Sequence, residues 1–493
     1  MKKSRFWICA ASALAVAVAL AGCGKTEYFA GRVLPPSGLI HRVMVVVQNA
    51  SILVHGEASI LDAYYDTRSS TAGSQYSISG YGGNMPISIQ SLPEEQVGAI
   101  YSSGDGSLAL VNYQQEKSTG NVSGLAGASS SVFVSRSLGL VFAANQISHV
   151  FTIANAQSSG GVSLGLPGVY RVSVNPGASA AFAFVQNSNY FYYPRQLTTA
   201  QGVAYSTGPA SWPKAAVDCE PQNLPGWCLF QAQSPDQIDS TGNYYGAPLV
   251  FDRPIKAVFS ADGGTAYILN CGPECGGNTA SISIVPIAPL IFTSGQNSGL
   301  LPCNSAPCAN PSAKPIVTVP IPGGASNALV DTTTMYVVGQ RPQTIGGQIY
   351  FGGNLSIVNL TNYSVSAPVS ISDGTPGGVS RMIEGDDNTL WIGMTQCANG
   401  VRYATAAAGG YGCLTMFNTS TKSVTMIEPY LGDATGIAAV TGLHKIYTVE
   451  GGQVYIYKTT DGTALNNQYV TVTGTAWDVA YMDATTDTNN TVY

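Results

Sequence analysis

Along most of the chain, apolar residues alternate with small or polar ones over runs of about five to seven positions, break at clusters of Asp, Gly, Ser or Asn, and resume. A period of two interrupted by turn residues predicts short antiparallel strands joined as hairpins. The stretch FSADGGTAYILN, Phe259 to Asn270, shows the unit: a strand, a two-glycine turn and a second strand, with SISIVPI from Ser281 as a third. The same succession recurs in segments starting at Gly98, Ser131, Tyr170, Ile255, Asn327, Arg381, Ile437 and Asp478.

Turn centres lie about 33 to 85 residues apart, the long gaps falling at insertions near 206–250 and 286–320. The shorter intervals match one four-stranded blade, whereas a sandwich would not repeat one hairpin eight times. The expected fold is all-β: a β-propeller of seven or eight four-stranded blades over residues 41–493. The segments from His41 and Ala58 read as second and third strands of a repeat that lacks a beginning, and the last segment, from Asp478, as a beginning that lacks its end. Pairing them closes the ring with N- and C-terminal strands and removes two exposed edges. Seven or eight blades result, depending on whether Asn490 to Tyr493 doubles a strand supplied by the N-terminal half.

The copy from Phe259 to Ile287 is similar to the YVTN-type β-propeller repeat, whose pattern is a strand, S-x-D-G, a Tyr-Val strand ending in Asn, and a V-S-V-I-D strand. Other copies replace the Asp-Gly turn, as in NPGAS and VTGLH. The resemblance implies a propeller. Its wider group holds bacterial surface proteins and a branch resembling 6-phosphogluconolactonase, so it implies little about activity.

Composition narrows the partners. Charged residues are 10% of the chain, and 56 glycines and 27 tyrosines fit a Gly-punctuated β protein better than a helical or disordered one. The formal charge of −6, without a Lys/Arg run beyond the leader, gives no footprint for nucleic acid.

Residues 1–23 carry Lys2, Lys3 and Arg5, an apolar run from Phe6 to Leu20, and LAGC ending at Cys23. This is the pattern of an export signal, too short for a comfortable membrane span. LAGC resembles the bacterial lipobox, which implies that Cys23 is acylated and holds the protein on a lipid bilayer without a transmembrane helix. Gly24 in place of Asp implies, within that pattern, the outer membrane of a cell envelope. Residues 24–40, with Pro35, Pro36 and Gly38, read as a tether.

Beyond Cys9 and Cys23, eight cysteines fall in local pairs: Cys219 with Cys228, Cys271 with Cys275, Cys303 with Cys308, and Cys397 with Cys413. Even number, close spacing and export predict disulfides. A thiolate zinc site built from CGPEC and CNSAPC is the rival, disfavoured by an oxidising compartment and by its spacing.

The signatures H-E-x-x-H, G-x-S-x-G, the P-loop and the EF-hand loop are missing. His149 and His444 sit in or beside strands, where a hydrogen-bonded structural role is the default; Glu94, Glu95, Glu384, Asp386 and Asp387 lie near turns, where carboxylates accept backbone N–H groups. No metal or cofactor is expected. Aligned on their turns, the first strands carry Arg171, Lys256, Asn327 and Arg381 at one position, with Asp478 in the final copy. First strands line a propeller axis, so these side chains are expected at one mouth of the channel, where three cations would suit an anionic ligand. The rival reading is strand capping and ion pairing. A one-residue error in register would turn each side chain away.

Aromatics supply a third candidate. Tyr190, Phe191, Tyr192 and Tyr193 fit strand packing, whereas Trp212, Trp227, Tyr244 and Tyr245 lie in an insertion, where recognition residues concentrate. Together these features point to an anchored extracytoplasmic module that binds a protein or envelope glycan. The alternative is a lactonase-like hydrolase using the channel mouth.

Overall fold

The computed structural model describes residues 34–484 apart from internal segments, the longest being 198–211 and 398–411. The leader with Cys23, the first part of the tether, much of the insertion at 206–250, and Asn490–Tyr493 lie outside the described residues.

The alternating segments pair into eight antiparallel sheets arranged as the blades of a propeller, with the inner strands in chain order around the axis. Blade 1 joins the two ends of the chain: Thr475–Tyr481 is innermost and pairs with Arg42–Gln48, which pairs with Glu57–Asp62. The inner strands of blades 2 to 8 are Pro86–Leu92, Ser131–Val134, Val169–Val174, Pro254–Phe259, Asn327–Asp331, Gly378–Gly385 and Ala434–Val440. Sheets of four or five strands form blades 2 to 7. In blades 1 and 8 the outermost position is held by isolated bridges, Ser59 to Ser77 and Val454 to Val470 among them.

Alternation gives each sheet two apolar faces, and the core follows from that. Eight clusters of buried side chains each straddle one junction between neighbouring blades. Phe182, Phe184, Phe191 and Phe251 fill the junction of blades 4 and 5; Val43, Val45, Tyr447 and Val479 fill that of blades 8 and 1. Tyr193 and Phe191 point into this core, as the strand reading of their aromatic run requires. Closure is reinforced by Arg42, 2% exposed, whose guanidinium bonds Asp483 Oδ1 at 2.6 Å, Glu116 Oε1 at 3.1 Å and the Tyr113 carbonyl at 2.6 Å. Ser37 donates to Glu116 through both N–H and hydroxyl, so the end of the tether is docked on blade 2.

Three expectations need correction. The segment at Gly98 supplies the second and third strands of blade 2, Val97–Ser102 and Ser107–Asn112; its first strand is Pro86–Leu92, where Pro and polar residues dilute the alternation. The insertion at 206–250 is partly blade: Ala216–Glu220 and Trp227–Gln231 are the two outer strands of blade 4. The other insertion ends in Val317–Pro320, the fourth strand of blade 5.

The cysteines pair as their spacing predicts. Cys219 is bonded to Cys228, Cys271 to Cys275, Cys303 to Cys308, and Cys397 to Cys413. These four disulfides consume the thiolates that a zinc site would need. Cys413 opens the third strand of blade 7, Cys413–Asn418, and both it and Cys397 are fully buried in the core of that blade. Cys308 closes a five-residue loop with Cys303 inside the insertion that leads to the fourth strand of blade 5.

Candidate ligand site at the propeller axis

In six of the eight inner strands, pairing with the second strand slips by one residue near the entry to the blade, the signature of a β-bulge. The residues that resume pairing are Ser88, Arg171, Lys256, Arg381, Gly436 and Asp478. Ser131 and Asn327 open the remaining two inner strands without a slip. A bulge re-aims the following side chain, and here it sets eight equivalent positions around one end of the channel. Five of them are the residues that turn alignment picks out. The bulge itself leaves no mark in an alternation pattern, so sequence alone could not place it.

Two links cross this ring. Lys256 Nζ donates to Asn327 Oδ1 at 2.9 Å, joining blades 5 and 6. Arg381 Nη2 bonds Asp478 Oδ2 at 2.5 Å, with both side chains fully buried. Asp478 also accepts backbone N–H bonds from Ile89 at 2.7 Å and Val479 at 2.8 Å. Burial pushes this carboxyl up, and Arg381 and the two N–H donors pull it back toward the ionised form. Arg381 and Asp478 are therefore an internally compensated pair, as the ion-pairing reading of the ring expects.

The side facing blades 4 to 6 differs. Lys256 is 7% exposed and lies in the field of the Arg171 and Arg381 guanidiniums. Burial first, and those two cations second, pull its ammonium down to about 7. Arg171 is half-buried beside it, 5.5 Å from the centre of the Tyr170 ring. Glu274, in the short loop closed by Cys271–Cys275, accepts the Gln340 N–H at 3.0 Å. Burial raises its carboxyl to about 7, against the pull of the Gln340 N–H and Arg171. Sequence reasoning passed over Glu274; its position between two closely spaced cysteines was the available signal.

A second belt, also unforeseen, lies beneath the ring. The residue preceding the axial position in one blade bonds the equivalent backbone carbonyl of the next: Ser130 Oγ to Tyr170 O at 2.6 Å, and Thr435 Oγ1 to Trp477 O at 2.5 Å. These bonds satisfy carbonyls that the bulges free from the ladder.

The aromatic candidates separate. Trp227 is 5% exposed and packs edge-on against Phe292 between blades 3 and 4, so it belongs to the core and not to a recognition surface. As part of an outer blade strand, it buries one face of the sheet. Trp212 is half-buried against the core of blades 4 and 5. Tyr244–Tyr245 form a short backbone ladder with Gln237–Ile238. His444 Nδ1 lies 2.9 Å from Asp387 Oδ2 on the rim between blades 7 and 8. Asp386 Oδ2 accepts the N–H groups of Gly442 and His444, so this turn carboxylate binds the next blade and not its own turn. Among the described residues, no three His, Cys, Asp or Glu side chains are grouped to hold a metal ion.

No family model matches the chain, and no curated protein does. Solved structures similar to it include Kuenenia stuttgartiensis hydrazine synthase, 13% identical, covering 76% of this chain and 96% of that one at a TM-score of 0.44. A periplasmic gluconolactonase from Pseudomonas aeruginosa is 10% identical, covering 90% and 98% at 0.45. A putative 6-phosphogluconolactonase from Bacteroides fragilis is 9% identical, covering 90% and 97% at 0.44. The propeller assignment rests on the strand pairing above, and these likenesses add no functional argument to it.

Proposed function

We propose that this protein is an exported propeller, lipid-anchored through Cys23 in a bacterial envelope, that binds a small anionic molecule at the axial site formed by Arg171, Lys256 and Asn327. The observation that carries the reading is Lys256: a buried amine held on an amide oxygen, in the field of two guanidiniums. Cationic donors on the inner strands of neighbouring blades, Arg171 and Lys256, suit an anionic group. Arg381 plays a smaller part, because Asp478 already neutralises it. The four disulfides and the LAGC motif support export and anchoring. YVTN-type membership is proposed on the Phe259–Ile287 repeat.

A protein or glycan partner remains the proposed role for the insertion at 206–250, now resting on Trp212 and Tyr244–Tyr245 without Trp227. Lactone hydrolysis at the axis is a second reading, favoured by one feature: an amine whose titration is pulled down to about 7 can exchange a proton near neutral pH. Titration of the full-length protein in detergent with small carboxylates and oxyanions tests the binding reading. Saturable binding that Arg171→Ala weakens at least tenfold is expected; equal binding by the variant would refute it.

A further inference from the structure

The strand Glu57–Asp62 of blade 1 ends in a turn that is fixed from two sides. Asp62 Oδ1 accepts the N–H groups of Tyr64 at 2.9 Å and Tyr65 at 3.4 Å, and the Asp62 N–H donates to the Thr67 carbonyl at 2.8 Å. From blade 8, Lys445 Nζ donates to the carbonyls of Ala63 at 2.9 Å and Tyr64 at 3.3 Å and to Asp66 at 2.8 Å, and the Tyr447 hydroxyl also donates to Asp66. This rigid turn nevertheless exposes two rings, Tyr64 at 52% and Tyr65 at 65%, set edge to face with centres 4.8 Å apart. Rings presented on a backbone already fixed lose little entropy on contact.

The tether arrives at the same place. The Ala63 N–H donates to the His41 carbonyl at 2.8 Å, which sets the exposed Ile40 beside the turn, and Leu34 is exposed at the start of the docked segment. Leu34, Ile40, Tyr64 and Tyr65 are four of the ten large hydrophobic side chains exposed among the described residues. Arg42 pairs with Asp62 and Val43 with Tyr481, so this corner lies where the inner strand of blade 1 ends, whereas the axial ring lies toward the starts of the inner strands. The carboxylates here are occupied: Asp62 caps the turn, Asp66 pairs with Lys445, and Asp483 and Glu116 pair with Arg42. Leu34 is eleven residues on from Cys23, a length that spans at most ~40 Å.

We propose that Tyr64 and Tyr65, with Ile40 and Leu34, rest in the headgroup layer of the bilayer that holds Cys23, so that the propeller stands with its axial ring turned away from the membrane. This rests on the anchoring through Cys23 proposed above and adds an orientation to it. Tyrosine suits that layer, its ring meeting the acyl boundary while its hydroxyl stays hydrated. The anchor makes the contact intramolecular, so a small patch suffices.

The test uses the full chain, expressed with its leader in a bacterium and placed in phosphatidylcholine vesicles with or without bromine on the acyl chains. Tyr65→Trp puts a fluorophore at the contact; Ile147→Trp puts one on an exposed turn near Ala144, the partner of Ser131 at the start of the inner strand of blade 3. Brominated lipid should quench the emission added by Tyr65→Trp by about half or more and leave that added by Ile147→Trp unchanged. In the native sequence, hydroxyl-radical oxidation of Tyr64 and Tyr65, measured against Ile147, should be at least about threefold slower on vesicles than in Cys23→Ser protein in buffer. Protection without quenching would assign the patch to a second copy or another protein and overturn the inference. Quenching at both tryptophans would overturn the orientation. A chain that floats with the vesicles but shows neither protection nor quenching would overturn this inference alone; a chain recovered without acyl groups, or one that does not float, would overturn the anchoring and this inference with it.

Discussion

The Arg381 guanidinium reaches the Asp478 carboxylate by passing blade 8 at Gly436, whose missing side chain is what leaves the path open. A Cβ at Gly436 would lie 2.6 Å from Asp478 Oδ1 and 2.7 Å from its Cα. Gly436→Ala should therefore push the carboxylate off its partner and cost about 1–3 kcal/mol, as overpacking does. Asp478→Asn should cost about 3–5 kcal/mol by stranding a buried guanidinium. Chemical denaturation of both single variants and the double variant checks this, with a non-additive sum expected.

Arg42 links the N-terminal strand to Asp483 beyond the last inner strand and to Glu116 on blade 2. Arg42→Met should destabilise the protein by about 3–5 kcal/mol, because Glu116 remains buried without its cation. Hydrogen exchange should localise the loss to blades 1 and 2, with blades 4 to 6 protected as before.

Glu450 in blade 8 is fully buried, its Oε1 accepting from the Thr448 and Tyr457 hydroxyls at 2.7 and 3.0 Å. Burial lifts its carboxyl to about 7, so the folded state holds a proton that the unfolded chain releases from about pH 4.5. Its contribution to stability therefore declines as pH rises from about 4.5 to about 7, and the penalty is complete above that window. Glu450→Gln should raise the melting temperature at pH 8 and change it little at pH 4.5, which thermal scans at the two values would show.

His444 and Asp387 form a rim contact bounded by a titration on each side. Asp387 holds the imidazole above the usual histidine range, and hydrogen bonds from Thr459 and His444 hold the carboxyl below the usual carboxylate range. The contact is fully present between those two titrations; it is lost at alkaline pH as His444 deprotonates and at acid pH as Asp387 protonates. An NMR titration should place His444 above free histidine, and Asp387→Asn should return it.

Cys219 and Cys228 are direct partners across the two outer strands of blade 4. Replacing both with Ser should cost about 2–3 kcal/mol, the loop-closure value for so short a span. Limited proteolysis should then proceed faster in the two outer strands of blade 4 than in the native protein.

The propeller class, the ring closure and the cysteine pairing were legible because each follows from period, end patterns and spacing, whereas the choice of eight blades over seven needed the pairing of Thr475–Tyr481 with Arg42–Gln48. Blade 2 was misread by one strand because Pro86 and the serines of PISIQSL blur the alternation that marks an inner strand. Trp227 was misplaced for a related reason: a strand inside an insertion looks like loop until its partner, Phe191–Gln196, is known. Turn alignment picks out Arg171, Lys256, Asn327, Arg381 and Asp478, yet the bulge beside most of them and the close approach of Gly436 to Asp478 depend on pairing and contacts that no local pattern encodes. Glu274 was passed over because its partner Gln340 is on another blade.

Blade 1 draws its inner strand and its two outer strands from segments separated by roughly 400 residues of chain. During synthesis, seven blades can assemble before the eighth has its centrepiece, and until then Arg42–Gln48 exposes an open ladder edge. Premature termination anywhere ahead of Thr475 would leave that edge bare in every copy made. Such fragments should associate edge to edge, which makes quality control of this chain a matter of its final strand.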